Sequence, residues 1–269
     1  MGTRDDGDNA QTSIAAGGEE EDVNQDFWLF GYGSLVWKPP PHYDEILPGY
    51  IKGYVRRFWQ ASEDHRGTPE APGRVVTLID EAHWKTLSDD YHTLTTSTVW
   101  GAAYHIPSSH AAEVRSYLDI REINGYSIQY TPFYPSSTSY SSSVPSASPS
   151  LASPSNSNPS SISNQSPLKC MVYIGLPCNP QFLGPQPPQQ LAAHILKSKG
   201  PSGENKEYLY MLGQALEELS PESGDEHIRD LVRRCRVLER GEEKGEGEGE
   251  IGGELKKVGS SEEQEEVEK

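Results

Sequence analysis

The stretch Phe30-Gly31-Tyr32-Gly33-Ser34-Leu35, FGYGSL, follows the apolar run Phe27-Trp28-Leu29, and its reading separates the fold classes open to this chain. The apolar run predicts a strand entering a core. Glycine has no side chain to pack and more backbone freedom to lose, so two glycines around a tyrosine mark the end of that strand. A dinucleotide-binding turn would need a third glycine at position 36 and a helix after it. Position 36 is Val36, and Trp37-Lys38-Pro39-Pro40-Pro41 cannot open a helix. Gly33-Ser34-Leu35 does not supply the Gly-x-Ser-x-Gly of a nucleophile elbow either. What is left is a glycine-flanked turn whose backbone N–H groups can face an anion or a developing oxyanion. Taken alone, the stretch is accounted for by an ordinary strand-to-loop turn.

Outward from this turn, the first part of the chain is strand-rich. Strands are expected at Phe27 to Phe30, at Ile46 to Gln60 (two, broken near Gly53), at Arg74 to Ile79 and at Val99 to Ile106. Two more, Ser127 to Tyr134 and Leu168 to Ile174, flank the segment Ser136 to Pro167. That segment is about half serine with repeated prolines, too poor in apolar groups to offset its ordering entropy, and is expected to be a disordered loop. If the flanking strands pair, the loop lies inside one domain, since closure entropy grows only with the logarithm of loop length. His83 to Ser97 is polar and weakly patterned and reads as a second loop insertion.

Helical patterns come mostly later. They cover Ser108 to Glu122, Gln189 to Ser198, a helix with Asn205 as its N-cap, and a last one carrying Ile228, Leu231, Val232, Cys235 and Leu238 at helical spacing. Strands largely precede helices without strict alternation. The expected class is therefore α+β, with a mostly antiparallel or mixed sheet or a small barrel.

The chain carries a net charge of −17 over 269 residues, unevenly spread. Residues 1–26 and 239–269 hold about −7 each, which leaves about −3 between them. Both ends read as disordered acidic tails around a folded region 27–238. The acidity argues against nucleic acid as a partner. No apolar run is long enough to span a membrane, and the N-terminus lacks the basic and apolar regions of a signal peptide. The cysteines Cys170, Cys178 and Cys235 are odd in number and match no zinc spacing, so a reduced compartment, the cytoplasm, is expected.

Two further clusters bear chemistry. In YLDIREINGY, Tyr117 to Tyr126, Glu122 falls near a helix C-terminus, where the negative end of the dipole makes a carboxylate more basic and so a better base near neutral pH. Glu113 lies about two and a half turns earlier on a broadly similar side. Solvated helix carboxylates beside Arg115 and Arg121 are the alternative. Arg56 to Arg74 mixes aromatics, cations, Gly and Pro, and its Arg and His residues suit a carboxylate ligand. The adjacency of Ser62, Asp64 and His65 is no evidence of a triad, whose members meet by folding.

Together these segments resemble, in order and spacing, the ChaC-like family of glutathione-specific γ-glutamylcyclotransferases. The matching stretches are FGYGSLVWKP, GYVRRFWQASEDHRGTPEAPGRVVTL, VWGAAYHIP, EVRSYLDIREINGY, YIGLPCNPQFLGP, GPSGENKEYLY and DEH at Asp225 to His227. The resemblance covers nearly all of Trp28 to Leu238. The acidic tails, the serine-rich loop and His83 to Ser97 depart from the family's compact form, between the motifs.

The resemblance implies a small mixed β-barrel flanked by helices. It implies cleavage of glutathione to 5-oxoproline and Cys-Gly by attack of the substrate's own α-amine on its γ-carbonyl. It implies Glu122 as the proton acceptor and Phe30, Gly31, Tyr32, Gly33, Ser34 and Leu35 as the glutamyl-binding loop. Tyr208 adds a hydrogen bond in the pocket, and Glu113 has a secondary role. No metal, nucleotide cofactor or covalent intermediate is implied, and the partner is a small molecule. Two other functions fit less of the sequence: a cyclotransferase for other γ-glutamyl amino acids or amines, and a non-catalytic scaffold using the tails and the serine-rich loop.

Overall fold

The computed structural model describes residues 25–91, 96–121, 126–136 and 166–251, with 242–251 as backbone only. Residues 1–24, Glu122, the bulk of the serine-rich segment (137–165) and residues 252–269 lie outside them. In chain order the strands are β1 (Phe27–Gly31), β2 (Glu45–Lys52), β3 (Tyr54–Ser62), β4 (Gly73–Asp80), β5 (Thr98–Ile106), β6 (Tyr126–Pro135) and β7 (Leu168–Gly175). The helices are α1 (Glu81–Trp84), α2 (Ala111–Arg121), α3 (Pro188–Lys197), α4 (Asn205–Leu219) and α5 (Glu226–Ile251).

Five strands close a barrel in the order β1-β5-β2-β6-β7. Four pairings are antiparallel, and β1 closes the ring against β7 in parallel, with Trp28 opposite Cys170. The barrel is mixed for that reason. Gly53, at φ +83°, takes the left-handed turn that splits β2 from β3. β3 and β4 form a separate antiparallel pair. A β-carbon at Gly101 would lie 2.2 Å from the carbonyl oxygen of Gly31, so glycine there lets β5 pass close beneath the end of β1.

One apolar core joins Phe30, Phe58 and Val172 to Leu191 of α3, Leu212 of α4 and Leu231 of α5. A second packs α2, through Val114 and Leu118, on Leu29, Tyr104 and Met171. The barrel wall thus has helices on both sides of β1, and the turn after β1 emerges between the two cores.

β6 and β7 pair directly, with Phe133 opposite Leu168. The serine-rich segment therefore joins neighbouring strands of one sheet. The Ser136 N–H donates to the Pro48 carbonyl at 2.8 Å, holding the start of the connection. Replacing residues 137–165 by a short Gly-Ser bridge is expected to leave the circular-dichroism spectrum unchanged and stability within about 1 kcal/mol, the scale on which closure entropy varies with loop length. A thermal midpoint that falls steeply would show that the segment packs against the domain.

Three expectations at the level of elements change. His83 to Ser97 is not merely an inserted loop: Trp84 and Tyr91 are buried, and Asp89 lies 2.7 Å from the Arg57 guanidinium in a buried ion pair while accepting the Trp84 indole N–H at 2.7 Å. The cation it serves, Arg57, sits on β3, distant in sequence, which is why the segment looks featureless by itself. Asn205 opens α4 but does not cap it. Its side chain instead accepts from the Arg74 backbone N–H and donates to the Arg74 carbonyl, each at 2.7 Å, splicing α4 to β4. The last helix does not stop at Leu238. It runs to Ile251, and Glu239 accepts the Tyr210 hydroxyl at 2.8 Å and pairs with Lys206.

Candidate active site

The turn after β1 forms one wall of a cavity of about 360 Å³. That volume suits a small molecule. Phe30, Tyr32, Gly33, Ser34 and Leu35 all line it, as does Tyr208 from the first turns of α4. Gly31, the remaining residue of FGYGSL, is not on the wall. It is paired with Ala102 inside the sheet, and a β-carbon there would meet Leu35 at 2.6 Å. After Gly33 the chain tightens into a single 3-10 turn, Ser34–Val36, and no side chain caps its start. The first amides of such a turn have no acceptor within it.

Long-range hydrogen bonds hold this turn in shape. The Arg56 guanidinium, buried on β3, donates to the Tyr32 carbonyl at 2.8 Å and to the Trp100 carbonyl at 2.7 Å. Asp225 lies 3.2 Å from its Nε as an ion-pair partner. Burial pushes the Arg56 group below the ordinary arginine range, and Asp225 opposes that shift. The Tyr32 hydroxyl donates to the Tyr173 carbonyl at 2.8 Å, and the Tyr104 hydroxyl donates to the Leu35 carbonyl at 2.7 Å.

On the other side, Arg121 at the end of α2 donates to the Ser34 hydroxyl at 2.9 Å and to the Lys38 carbonyl at 3.2 Å. The C-terminus of α2 is thereby tied to the glycine turn, and Arg121 itself lines the cavity. Glu122, the next residue, lies outside the described residues.

Charge around the cavity is mostly positive. Among the described residues, the cations Lys38, Arg66 and Arg121 line it, together with His65 and a single carboxylate, Asp64. Arg66 is buried and anchored, donating to the Glu204 carbonyl at 2.8 Å and to Glu207 at 3.1 Å, with its guanidinium 5.9 Å from the centre of the Tyr208 ring. The Tyr208 ring also meets Trp37 edge-on, with centroids 5.2 Å apart. An apolar floor of Leu35, Trp37 and Val76 with a cationic rim suits a small, polar, multiply charged anion.

The basic cluster Arg56 to Arg74 divides on folding. Arg66 and His65 reach the cavity, whereas Arg56 and Arg57 are buried structural cations and Arg74 donates to Gln186 and to nearby carbonyls. Glu113 is not among the lining residues. It is exposed on the first turn of α2, between His42 and His110. In the DEH motif, Asp225 serves Arg56. His227 is buried and accepts the Phe58 N–H at 3.1 Å, and burial together with Arg57 keeps it neutral, well below the ordinary histidine range. Pattern-reading did not find Arg56, Tyr104 and Arg121 as supports of the turn. The one local signal was a pair of arginines within an otherwise apolar strand, Val55 to Trp59.

Comparison with known proteins adds four findings. The family described as ChaC-like protein matches residues 27–238. The chain is 42% identical over 211 residues to the glutathione-specific gamma-glutamylcyclotransferase of Schizosaccharomyces pombe, covering 78% of this chain and 92% of the relative. It is 34% identical to glutathione-specific gamma-glutamylcyclotransferase 1 of Homo sapiens, covering 77% of this chain and 78% of that protein. Among solved structures, a crystal structure of the yeast gamma-glutamyl cyclotransferase specific to glutathione is similar, with a TM-score of 0.65 and 32% identity over 79% of this chain and 96% of that one.

Proposed function

The chain belongs to the ChaC-like family, and from that premise we propose that it is a glutathione-specific γ-glutamylcyclotransferase, a lyase of glutathione catabolism. The observation that carries this reading is the meeting of the glycine turn with the end of α2 at one cationic cavity. The glutamyl end of glutathione offers an α-carboxylate, an α-ammonium and a carbonyl that becomes an oxyanion. Arg66, Lys38 and Arg121 supply positive charge for the substrate's carboxylates, and the turn at Gly33 to Leu35 brings backbone N–H groups to the wall.

Chemistry starts when the α-ammonium gives up a proton, with Glu122 as acceptor. The freed nitrogen attacks the γ-carbonyl carbon and closes a five-membered ring. The bond from that carbon to the cysteinyl nitrogen breaks, the leaving nitrogen takes up a proton returned by the same carboxyl group, and the ring nitrogen gives up its second proton, which the freed Cys-Gly amine can accept. The products are 5-oxoproline and Cys-Gly, and neither water nor an enzyme nucleophile is consumed. Holding the amine folded over the carbonyl removes much of the entropic part of the barrier. Rings of Trp37 and Tyr208 supply a stiff apolar surface against which the folded chain can lie.

The cytoplasm is the proposed location, in keeping with three cysteines that are all unpaired. No helix among the described residues is long and apolar enough to cross a membrane.

Incubating the pure protein with glutathione is expected to yield 5-oxoproline and Cys-Gly in equal amounts. Release of free glutamate instead would mean hydrolysis and would overturn the reading. The cavity wall gives a finer expectation. A β-carbon at Gly33 would lie 2.9 Å from the Tyr208 hydroxyl and 3.0 Å from a Val76 methyl, within the space facing the ligand. Gly33→Ala should raise KM by about tenfold, a loss of about 1.4 kcal/mol of binding, with an unchanged thermal midpoint. An unchanged KM would separate the turn from substrate binding.

A further inference from the structure

Away from the cavity, three side chains with metal-binding atoms meet on the surface. His42 lies in the loop before β2, with its backbone in the left-handed region at φ +60°. His110 closes the 3-10 turn ahead of α2, and Glu113 stands in the first turn of α2. The two imidazole rings stack with centroids 4.2 Å apart and planes within 3° of parallel. One Glu113 oxygen lies 3.2 Å from Nε2 of His42, and the other lies 3.4 Å from Nδ1 of His110. One ligand atom from each residue can be chosen so that all lie within 4.8 Å of one another.

We infer that His42, His110 and Glu113 form a binding site for a divalent transition-metal ion of the zinc or copper class, with its remaining coordination positions open to water. Two imidazoles and one carboxylate are borderline donors, which favour Zn²⁺, Cu²⁺ or Ni²⁺ over the oxygen-seeking Mg²⁺ and Ca²⁺. Around a tetrahedral ion with bonds of about 2.0–2.1 Å, neighbouring ligand atoms stand about 3.4 Å apart. The His42 Nε2 separation from one Glu113 oxygen, 3.2 Å, already has that size, while the 3.4 Å separation of His110 Nδ1 is to the other oxygen of the same carboxylate. Hydrogen bonds from imidazole to carboxylate are what such a ligand set makes when protons stand where the ion would be.

The parallel rings direct their lone pairs into separate planes, so at least one ring must tilt to share an ion. Side-chain exposures of 38%, 40% and 64% for His42, His110 and Glu113 leave room for that movement. His110 and Glu113 stand three residues apart at the start of α2, and His42 is remote from both in the chain. The site exists only because the loop before β2 folds back on the start of α2, with His42 and Glu113 71 residues apart.

The same loop carries Trp37 and Lys38, and the same helix ends at Arg121. A bound ion would therefore tie together two segments that reach the cavity, and binding to the folded state alone would raise the unfolding temperature. The site does not depend on the catalytic reading.

The test uses the full chain stripped of metal. Calorimetric titration with Zn²⁺ in neutral buffer is expected to show a saturable site of one ion per chain. His42→Gly with His110→Ala should weaken it by about tenfold or more, the glycine suiting the left-handed backbone at position 42. Cu²⁺ loaded at one equivalent should show two coordinated imidazole nitrogens by pulsed electron paramagnetic resonance, and the double variant should lose both. Cys178→Ser, which removes an exposed thiol, should leave the site intact. A parent protein without saturable binding overturns the inference. So does a double variant that binds as tightly as the parent, or a site lost with Cys178.

Discussion

Glutathione acetylated on its α-amine is expected to survive incubation with this protein under conditions in which glutathione is fully cleaved. The acetyl group turns the amine into an amide, whose lone pair is delocalised into the neighbouring carbonyl. That nitrogen can no longer attack the γ-carbonyl. The rest of the molecule, including both carboxylates, is unchanged, so a lost reaction reports the nucleophile, provided the blocked peptide still competes with glutathione for the cavity. Cleavage at a comparable rate would require water or an enzyme side chain as nucleophile, and the protein would then be a hydrolase or a transferase. Chelators should not mimic the effect. A cyclisation by the substrate's own amine needs no activated water, and His42, His110 and Glu113 are not among the residues lining the cavity.

Glu122→Gln is expected to lower kcat by about 10²–10⁴-fold, the usual worth of a positioned general base, with little change in KM or in the circular-dichroism spectrum. The amide nearly matches the carboxylate in shape but cannot accept the proton. Near the C-terminus of a helix, the negative pole favours the protonated form of a carboxyl group and raises its basicity. A Gln variant with near-normal turnover would remove Glu122 from this role and direct attention to Asp64, the carboxylate on the cavity wall.

Much of the fold was legible because its signals are local. Apolar runs of strand length and glycine breaks depend on neighbouring residues, and the expected strands coincide with β1 to β7 to within a residue or two. The turn at FGYGSL was legible in the same way, since two glycines at a strand end conflict with continued pairing. The helix ends were harder. Asn205 has the side chain of an N-cap, yet a backbone partner on β4 outcompetes the helix for it. Glu113 illustrates the limit for sites: by periodicity it falls on a side of the helix broadly similar to that of Glu122, and only the packed structure shows it turned toward two surface histidines.

By itself, the sequence determined the order of strands and helices and the place of the glycine turn. These follow from backbone sterics and hydrophobic periodicity, which act over a few residues. Tertiary structure alone decided that β1 lies between β5 and β7, that Arg56 is a buried support of Tyr32 while Arg66 lines the cavity, and that Arg121 meets Ser34 across 87 residues of chain. Whether a cation is desolvated, and which carbonyl it then satisfies, depends on groups that approach only after the barrel has closed. A buried charge or hydrogen-bond donor must find its partner among them or destabilise the fold.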